Sequence, residues 1–356
     1  MKLLHASDFH LDSPFRQLEE KKALTRRREL RELPARLARL AVEEQVKLVL
    51  LPGDLFDGER VYPETIQALA EALAAIPAPV FIAPGNHDHC RPGSPYLTAE
   101  WPDNVCIFTR SELEEVELPE LNCVVHGCAF TDAHREDDPL DGFAAPDDGK
   151  LHLLCVHGEV GREGRYGPIP PQSLARSGAA YAALGHVHSG SGLQKEGGTY
   201  WAYPGCPEGR GFDEAGEKGC LTVNILGDGV EARFHPLCQR QYRVERVPVE
   251  NFREFLPAAA SPDLARLILT GESAAAPDLE ALTALARPCF FHVELRDETT
   301  LPQQIWAREG EDTLTGLFLR EMRRKLDSAA DGEREQVLLA IRFGLAALEG
   351  REDVRP

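Results

Sequence analysis

No run of this chain approaches the ~18 consecutive apolar residues that a membrane-spanning helix needs, although 43% of its 356 residues are hydrophobic. Its first residues also lack the apolar segment and small-residue cleavage site of a secretory signal, so none is expected. The nine cysteines include no CxxC pair and are odd in number. That excludes a regular disulfide framework and fits reduced, mostly buried thiols in a cytoplasmic protein. There are no internal repeats and no low-complexity tracts. Positive charge is scarce: 39 Lys and Arg face 58 Asp and Glu, for a net charge of −19. Such an excess argues against a polyanionic partner. The excess is uneven, however. Residues 111–150 hold 12 acids and 2 bases, whereas residues 16–39 hold nine bases and four acids. The basic run is either a solvated helix face or a set of phosphate contacts.

The length suits two domains with an appendage. Residues 1–7 read as a buried strand. Leu30, Leu33, Leu37 and Leu40 recur at helical spacing, with an interruption at Pro34. VKLVLLPGDLFDG, APVFIAPGNHDH, LHLLCVHGE and YAALGHVHSG are each an apolar strand that stops abruptly in a polar loop, and a helix is expected at about residues 63–75. Strands alternating with helices predict an α/β domain, whose functional groups belong at the strand ends. Near Tyr242 the pattern changes to a small β-α-β module, and after Pro302 to helices. There Leu314, Leu317, Phe318, Met322 and Leu326 form one apolar stripe, and Val337, Ile341, Leu345 and Leu348 another. Boundaries are expected at 1–240, 241–302 and 303–356.

The strand ends carry Asp8 and His10 in SDFHLD, Asp54 in PGDLFD, Asn86 and His87 in PGNHD, His157 in CVHGE, and His186 and His188 in GHVH. Each occurs easily by chance; the ordered set does not. Carboxylate, imidazole and amide oxygen donors suit manganese, iron or zinc. Asp8, His10, Asp54, Asn86, His157, His186 and His188 are too many for one catalytic ion and enough for two that share a carboxylate. His5, His126 and His152 fall in or near strands and are expected to be buried and hydrogen-bonded, His134 to lie in a surface loop, and Asp88 to sit in a turn or behind the ligands.

In order, these motifs resemble the D-x-H, G-D-x-x-D, G-N-H-D/E, H and G-H-x-H pattern of the calcineurin-like metallophosphoesterases. The resemblance implies an αββα sandwich of two mixed sheets flanked by helices, with a small β-α-β cap and a C-terminal helical hairpin. It implies one metal on Asp8, His10, Asp54 and His188, and a second on Asp54, Asn86, His157 and His186. His87 would be no ligand but a catalytic group beside the scissile phosphate, and Asp57 would hydrogen-bond it and keep it cationic. The HLDSPF variant and WAYPGCPEGRGFDEAGEKG (201–219) are similar to the SbcD/YhaO-like branch of DNA repair exonucleases. That branch implies DNA as substrate, an SMC-like ABC ATPase docked on the C-terminal helices, a homodimer, and manganese ahead of iron or zinc. Arg210 and Lys218 join the basic run as candidate DNA contacts. Where the branch commonly has Gly, this chain has Asp12, an added negative charge at the mouth of the site. A DNA exo- or endonuclease is therefore expected, against two alternatives: a phosphodiesterase or phosphatase for small nucleotides, and a non-enzymatic scaffold for the ATPase.

Overall fold

The computed structural model describes residues 1–350, apart from 59, 162, 163 and 228. Four short apolar segments, β1 (Lys2–His5), β2 (Leu48–Leu51), β3 (Val80–Ile82) and β4 (Val105–Ile107), lie side by side and parallel, in chain order. Antiparallel Gly219–Ile225 and then Val230–Pro236 extend the β1 edge to make a six-stranded sheet. A second six-stranded sheet centres on parallel Leu151–His157 and Tyr181–Gly185. Cys123–Gly127 and Thr199–Ala202 flank them in parallel, and antiparallel Glu114–Leu118 and Gln194–Glu196 close the edges.

The strand period of two decides how these sheets meet. Leu3, Leu48, Leu50 and Phe81 point from the first sheet, and Val125, Leu153, Tyr181 and Ala183 from the second, into one shared core. The intervening residues are buried as well, so β2 is an unbroken LVLL, as expected for parallel strands covered on both faces. Helix α1 (Glu20–Arg31) ends at Glu32, and α2 (Leu33–Glu43) begins with Pro34 in its first turn, where a proline costs no backbone bond. The expected interruption is therefore a helix boundary. Helix α2 buries Leu33, Leu37, Ala38 and Ala41 and packs on α3 (Pro63–Ala74).

The chain divides into two compact units, Met1–Gln241 and one that begins at Tyr242. In the second unit, Tyr242–Pro248, Ser261–Thr270 and Phe290–Asp297 form a parallel sheet with the longest strand in the middle. Leu279–Ala286 is its helix, and Val247, Phe252, Ala265, Leu267, Leu269 and Ala286 its core. Helices Leu314–Ser328 and Asp331–Leu348 form a hairpin around Leu319, Met322, Leu326, Ile341 and Leu345. Its buried face runs through Gly316 rather than through Leu314 and Leu317, which are 68% and 58% exposed. A side chain at 316 would strike the Glu311 carbonyl, so the glycine sets which face turns inward. Buried Arg342 ties the hairpin to its own sheet, donating to Asp297 (2.8 Å) and to Thr299 Oγ1 (2.6 Å). No described helix is long and apolar enough to cross a membrane.

His5, His126 and His152 are all buried. His126 Nε2 meets His152 Nδ1 at 2.9 Å, and His152 Nε2 meets Asp148 at 3.0 Å. His5 bridges the sheets, with Nδ1 at 2.9 Å from the Tyr181 hydroxyl and Nε2 at 3.1 Å from the Leu184 carbonyl. Burial pushes its pKa from 6.5 down to about 3. Because the folded value lies below the unfolded one, the associated stability is complete above pH 6.5 and is lost as pH falls toward 3. In chelator, wild type should lose about 2 kcal/mol more than His5→Gln between pH 6.5 and 5. Denaturant titrations at the two pH values measure this, and equal losses in both proteins would show that His5 is not the buried neutral group.

Candidate metal centre

Parallel strands deliver their carboxyl ends to one edge of each sheet, and face-to-face packing brings the two edges together. Asp8 and His10 follow β1, Asp54 follows β2, and Asn86 and His87 follow β3; His157 ends its strand, and His186 and His188 follow Gly185. The sheets touch at Gly185, where a Cβ would land on the Pro52 carbonyl. Gly53 (φ 87°) passes the His157 ring with no space for a side chain. Asp8, His10, Asp12, Phe15, Asp54 and His186 all have positive φ, a conformation that costs energy outside glycine and marks constrained sites.

These turns aim the donor atoms at one another. His10 Nε2 and His188 Nε2 are 3.1 Å apart, with Asp8 Oδ1 3.8 Å from the latter. On the other side, Asn86 Oδ1 lies 2.9 Å from His157 Nε2 and 3.2 Å from His186 Nδ1. Asp54 Oδ2 lies between the two groups, 3.7 Å from His10 Nε2 and 3.6 Å from His157 Nε2. Ligand atoms of Asp8, His10 and His188, of Asp8, Asp54 and His157, and of His10, Asp54 and His87 each fall within 4.8 Å of one another. His87 is exposed; its backbone N–H donates to Asp54 Oδ1 (2.9 Å), and its ring meets that of His10 edge-on at 4.7 Å.

The electrostatics fit a cation. Burial, then the Asp88 and Asp8 carboxylates, hold Asp54 well above the usual carboxylate range. Burial, joined by Arg210 and neighbouring imidazoles, holds His10 well below 6.5, and burial lowers His157 as well. Burial and then His157 bring His186 to about 3. Neutral imidazoles converging on crowded carboxylates are the donor set of divalent zinc, iron or manganese. His10 Nδ1, wholly buried, forms no hydrogen bond although Asp57 Oδ1 is 3.1 Å away.

Several expected contacts fall elsewhere. Asp57 does not reach His87; it sits against His10 Nδ1 and the Arg210 guanidinium (3.0 Å). The reason is local. Asp57 N–H donates to the Leu11 carbonyl (2.9 Å) and Phe56 bridges to Leu11, which lays residues 54–57 beside residues 8–11. Asp12 adds no free charge at the mouth, because its carboxylate accepts from Tyr62 N (2.9 Å) and Thr65 Oγ1 (2.7 Å) and faces Arg31 at 3.5 Å. Asp88 knits the loop, accepting from Gly85 N (2.8 Å), Leu55 N (2.7 Å), Phe56 N (3.1 Å) and the Tyr96 hydroxyl.

Two members of the basic run are turned inward. Arg26 is fully buried against Glu29 (2.7 Å) and Glu208 (2.8 Å), and Arg36 also pairs with Glu208 (3.0 Å). Arg210 and Lys218, expected to face DNA, stand behind His188: Lys218 donates to the His188 carbonyl (3.0 Å), and Arg210 to Glu214 (2.7 Å). Glu214 itself went unnoticed. It accepts from His188 Nδ1 at 2.7 Å, and no local spacing in the GRGFDE part of residues 201–219 marks that contact.

Comparison with known proteins agrees with this geometry. The calcineurin-like phosphoesterase family matches residues 1–190, more than half the chain. The chain belongs to that family. Like other members, this phosphoesterase is thereby a metal-dependent phosphoester hydrolase of a family that binds two divalent ions, and it has candidate ligand groups to hold them. An uncharacterized metallophosphoesterase, YhaO, of Bacillus subtilis strain 168 is 28% identical over 293 residues, 75% of this chain and 71% of that one. The DNA double-strand break repair protein Mre11 of Aeropyrum pernix is 27% identical over 266 residues, 68% of this chain and 63% of that one. The phosphoesterase thus spans less than two thirds of its Mre11 relative.

Manganese added to chelator-stripped phosphoesterase should raise Tm by roughly 5 °C or more at saturation. Asp54→Asn removes a buried carboxylate that repels Asp8, so the stripped variant should be no less stable than wild type yet should lose most of that rise. Differential scanning calorimetry with and without manganese measures both, and a full rise in Asp54→Asn would show that Asp54 does not lie between the ions.

Proposed function

We propose that this phosphoesterase is a two-metal DNA nuclease. The observation that carries the reading is the position of Asp54 Oδ2 between two donor groups, 3.7 Å from His10 and 3.6 Å from His157. Asp8, His10, Asp54 and His188 would hold one ion, and Asp54, Asn86, His157 and His186 the other. When bound, two such ions supply Lewis-acid activation of water and neutralise charge on the phosphoryl oxygens. His87, exposed over the cluster, is the group placed to give a proton to the departing oxygen.

Two features favour DNA over a small nucleotide. One is the relative described as a DNA double-strand break repair protein. The other is a hollow of about 510 Å³ beside Asp57, lined among others by Arg16, Arg60 and Tyr62. Guanidinium groups contact phosphates and an exposed aromatic ring stacks on bases, so a strand crossing the cluster would find local positive charge in an acidic protein. In this reading an ABC-type ATPase docks on the C-terminal hairpin, where Leu314 and Leu317 stay exposed, and the protein works in the cytoplasm, in keeping with nine free cysteines.

The test is cleavage of end-labelled single- and double-stranded DNA by the purified chain with manganese, beside bis-(p-nitrophenyl) phosphate. Manganese-dependent DNA cleavage is expected, with His87→Ala slower by roughly 10²–10⁴-fold. Turnover of the small ester with DNA left intact, even with a cognate ATPase present, would favour a small-molecule phosphodiesterase instead.

A further inference from the structure

The two halves of the donor cluster are backed differently. His157 Nδ1 rests on a main-chain carbonyl, that of Pro52, at 3.0 Å, whereas His186 Nδ1 is itself one of the converging donor atoms, 3.2 Å from Asn86 Oδ1. Neither contact involves a carboxylate. On the other side a carboxylate stands behind each Nδ1: Glu214 Oε1 accepts from His188 Nδ1 at 2.7 Å, and Asp57 Oδ1 lies 3.1 Å from His10 Nδ1 without hydrogen-bonding it. A single guanidinium joins those two carboxylates. Arg210 Nη1 is 3.0 Å from Asp57 Oδ1, and Nη2 is 2.7 Å from Glu214 Oε1. The Arg210 main-chain N–H also donates to Glu214 Oε2 at 2.7 Å.

We infer that Arg210 is a positioning residue for the metal held by Asp8, His10 and His188, acting as a strut that fixes the carboxylates behind both of that metal's imidazoles. It rests on the two-metal reading of the cluster, and not on DNA being the substrate. The planar fork matters, because its two nitrogens reach two acceptors at once, which a lysine ammonium on a flexible stem does not reproduce. A carboxylate hydrogen-bonded to Nδ1, as Glu214 is to that of His188, fixes the imidazole tautomer that leaves Nε2 free for the metal, orients the ring and raises its basicity, and Asp57 puts a second carboxylate against His10. The strut is itself anchored. Two residues away, Glu208 is fully buried and accepts from Arg26 Nη2 (2.8 Å), Arg36 Nη2 (3.0 Å) and Gln239 N (3.0 Å). The loop that carries Arg210 is thereby bolted to α1 and α2.

An ion network that only stabilised the fold would weaken both metals alike when broken. The two carboxylates the strut joins stand against His10 and His188, imidazoles of the same metal, so its loss is selective. The experiment is a manganese titration of chelator-stripped protein, with free ion followed by electron paramagnetic resonance. Wild type, Arg210→Ala, Arg210→Lys and Glu214→Gln are compared with two references, His188→Ala and His186→Ala. Wild type should bind two ions. Arg210→Ala and Glu214→Gln should keep one affinity, equal to that remaining in His188→Ala, and lose roughly 10–100-fold in the other. Arg210→Lys should recover only part of the loss. Melting temperatures in chelator separate fold from function, and Glu214→Gln carries the test if Arg210→Ala does not fold.

Unchanged affinities in Arg210→Ala and Glu214→Gln would overturn the inference. So would losses shared equally between the two ions, or a surviving affinity that matches His186→Ala. A wild-type chain that binds fewer than two ions overturns the two-metal reading and the strut's role with it. None of these results depends on whether DNA is cleaved.

Discussion

Asp54 has to be a carboxylate in a place where water cannot keep it charged. It is 1% exposed, beside an Asp8 that is wholly buried, and the repulsion between them is relieved only by a proton or a cation. Much of the unusual local structure follows from holding such groups close together. Loops turn through positive φ at Asp8, His10 and Asp54 so that side chains from separate strands face one point. Glycines at 53 and 185 let the loops of two sheets touch with no Cβ between them. The strain costs folding energy, and divalent ions of the kind this family binds would offset it, because binding to the native state alone adds to stability.

The overall charge of −19 and the proposal of a polyanionic substrate conflict only if charge is averaged over the surface. Screening makes exposed charges beyond about 10 Å nearly irrelevant to a contact, so what counts is the neighbourhood of the cluster. There, Asp12 is consumed by the start of α3 and Asp57 by Arg210 and His10, while Arg16 and Arg60 line the adjoining hollow. The same accounting removes basic residues from consideration. Arg26 and Arg36 neutralise Glu208 in the interior and have little left for a phosphate.

The donor set was legible because strand ends announce themselves: an apolar run that stops in PGD, PGNHD or GHVH fixes where the polar atoms must emerge. Parallel pairing then brings them to a single edge, and the sequence-predicted residues Asp8, His10, Asp54, Asn86, His157, His186 and His188 do come together. What could not be read was the tier behind them. Asp57 stands in the G-D-x-x-D motif, but its direction is set by the pairing of Phe56 with Leu11, which no local pattern encodes. Glu214 and Arg210 reach His188 from a separate loop, and contacts at such separation leave no periodic trace. The hairpin shows the same limit on a smaller scale. Its apolar residues were visible, yet Gly316 rotates the buried face by about one position, so Leu314 and Leu317 end outside.

The two sides of the cluster are also held by different forces. The loops after β1, β2 and β3 are stitched by the main chain: Asp8 N donates to the Gly53 carbonyl (3.0 Å), His10 N to the Asp54 carbonyl (2.9 Å) and Leu11 N to the Leu55 carbonyl (2.9 Å). Asp88 closes the third loop onto the second through buried backbone amides. Such bonds are insensitive to salt and leave Asp8, Asp54 and Asn86 preorganised before any ligand arrives. His188 also has a main-chain tie, because Cys206 N donates to its carbonyl (3.2 Å) and Lys218 does so too (3.0 Å). Its ring is different: it is 28% exposed and is oriented by Glu214, whose own partner is Arg210. The orientation of that imidazole thus depends on a chain of charged side chains, where His157 rests on the Pro52 main-chain carbonyl, which makes the His188 corner a place where a single substitution remote from the reacting atoms would disturb the metal centre.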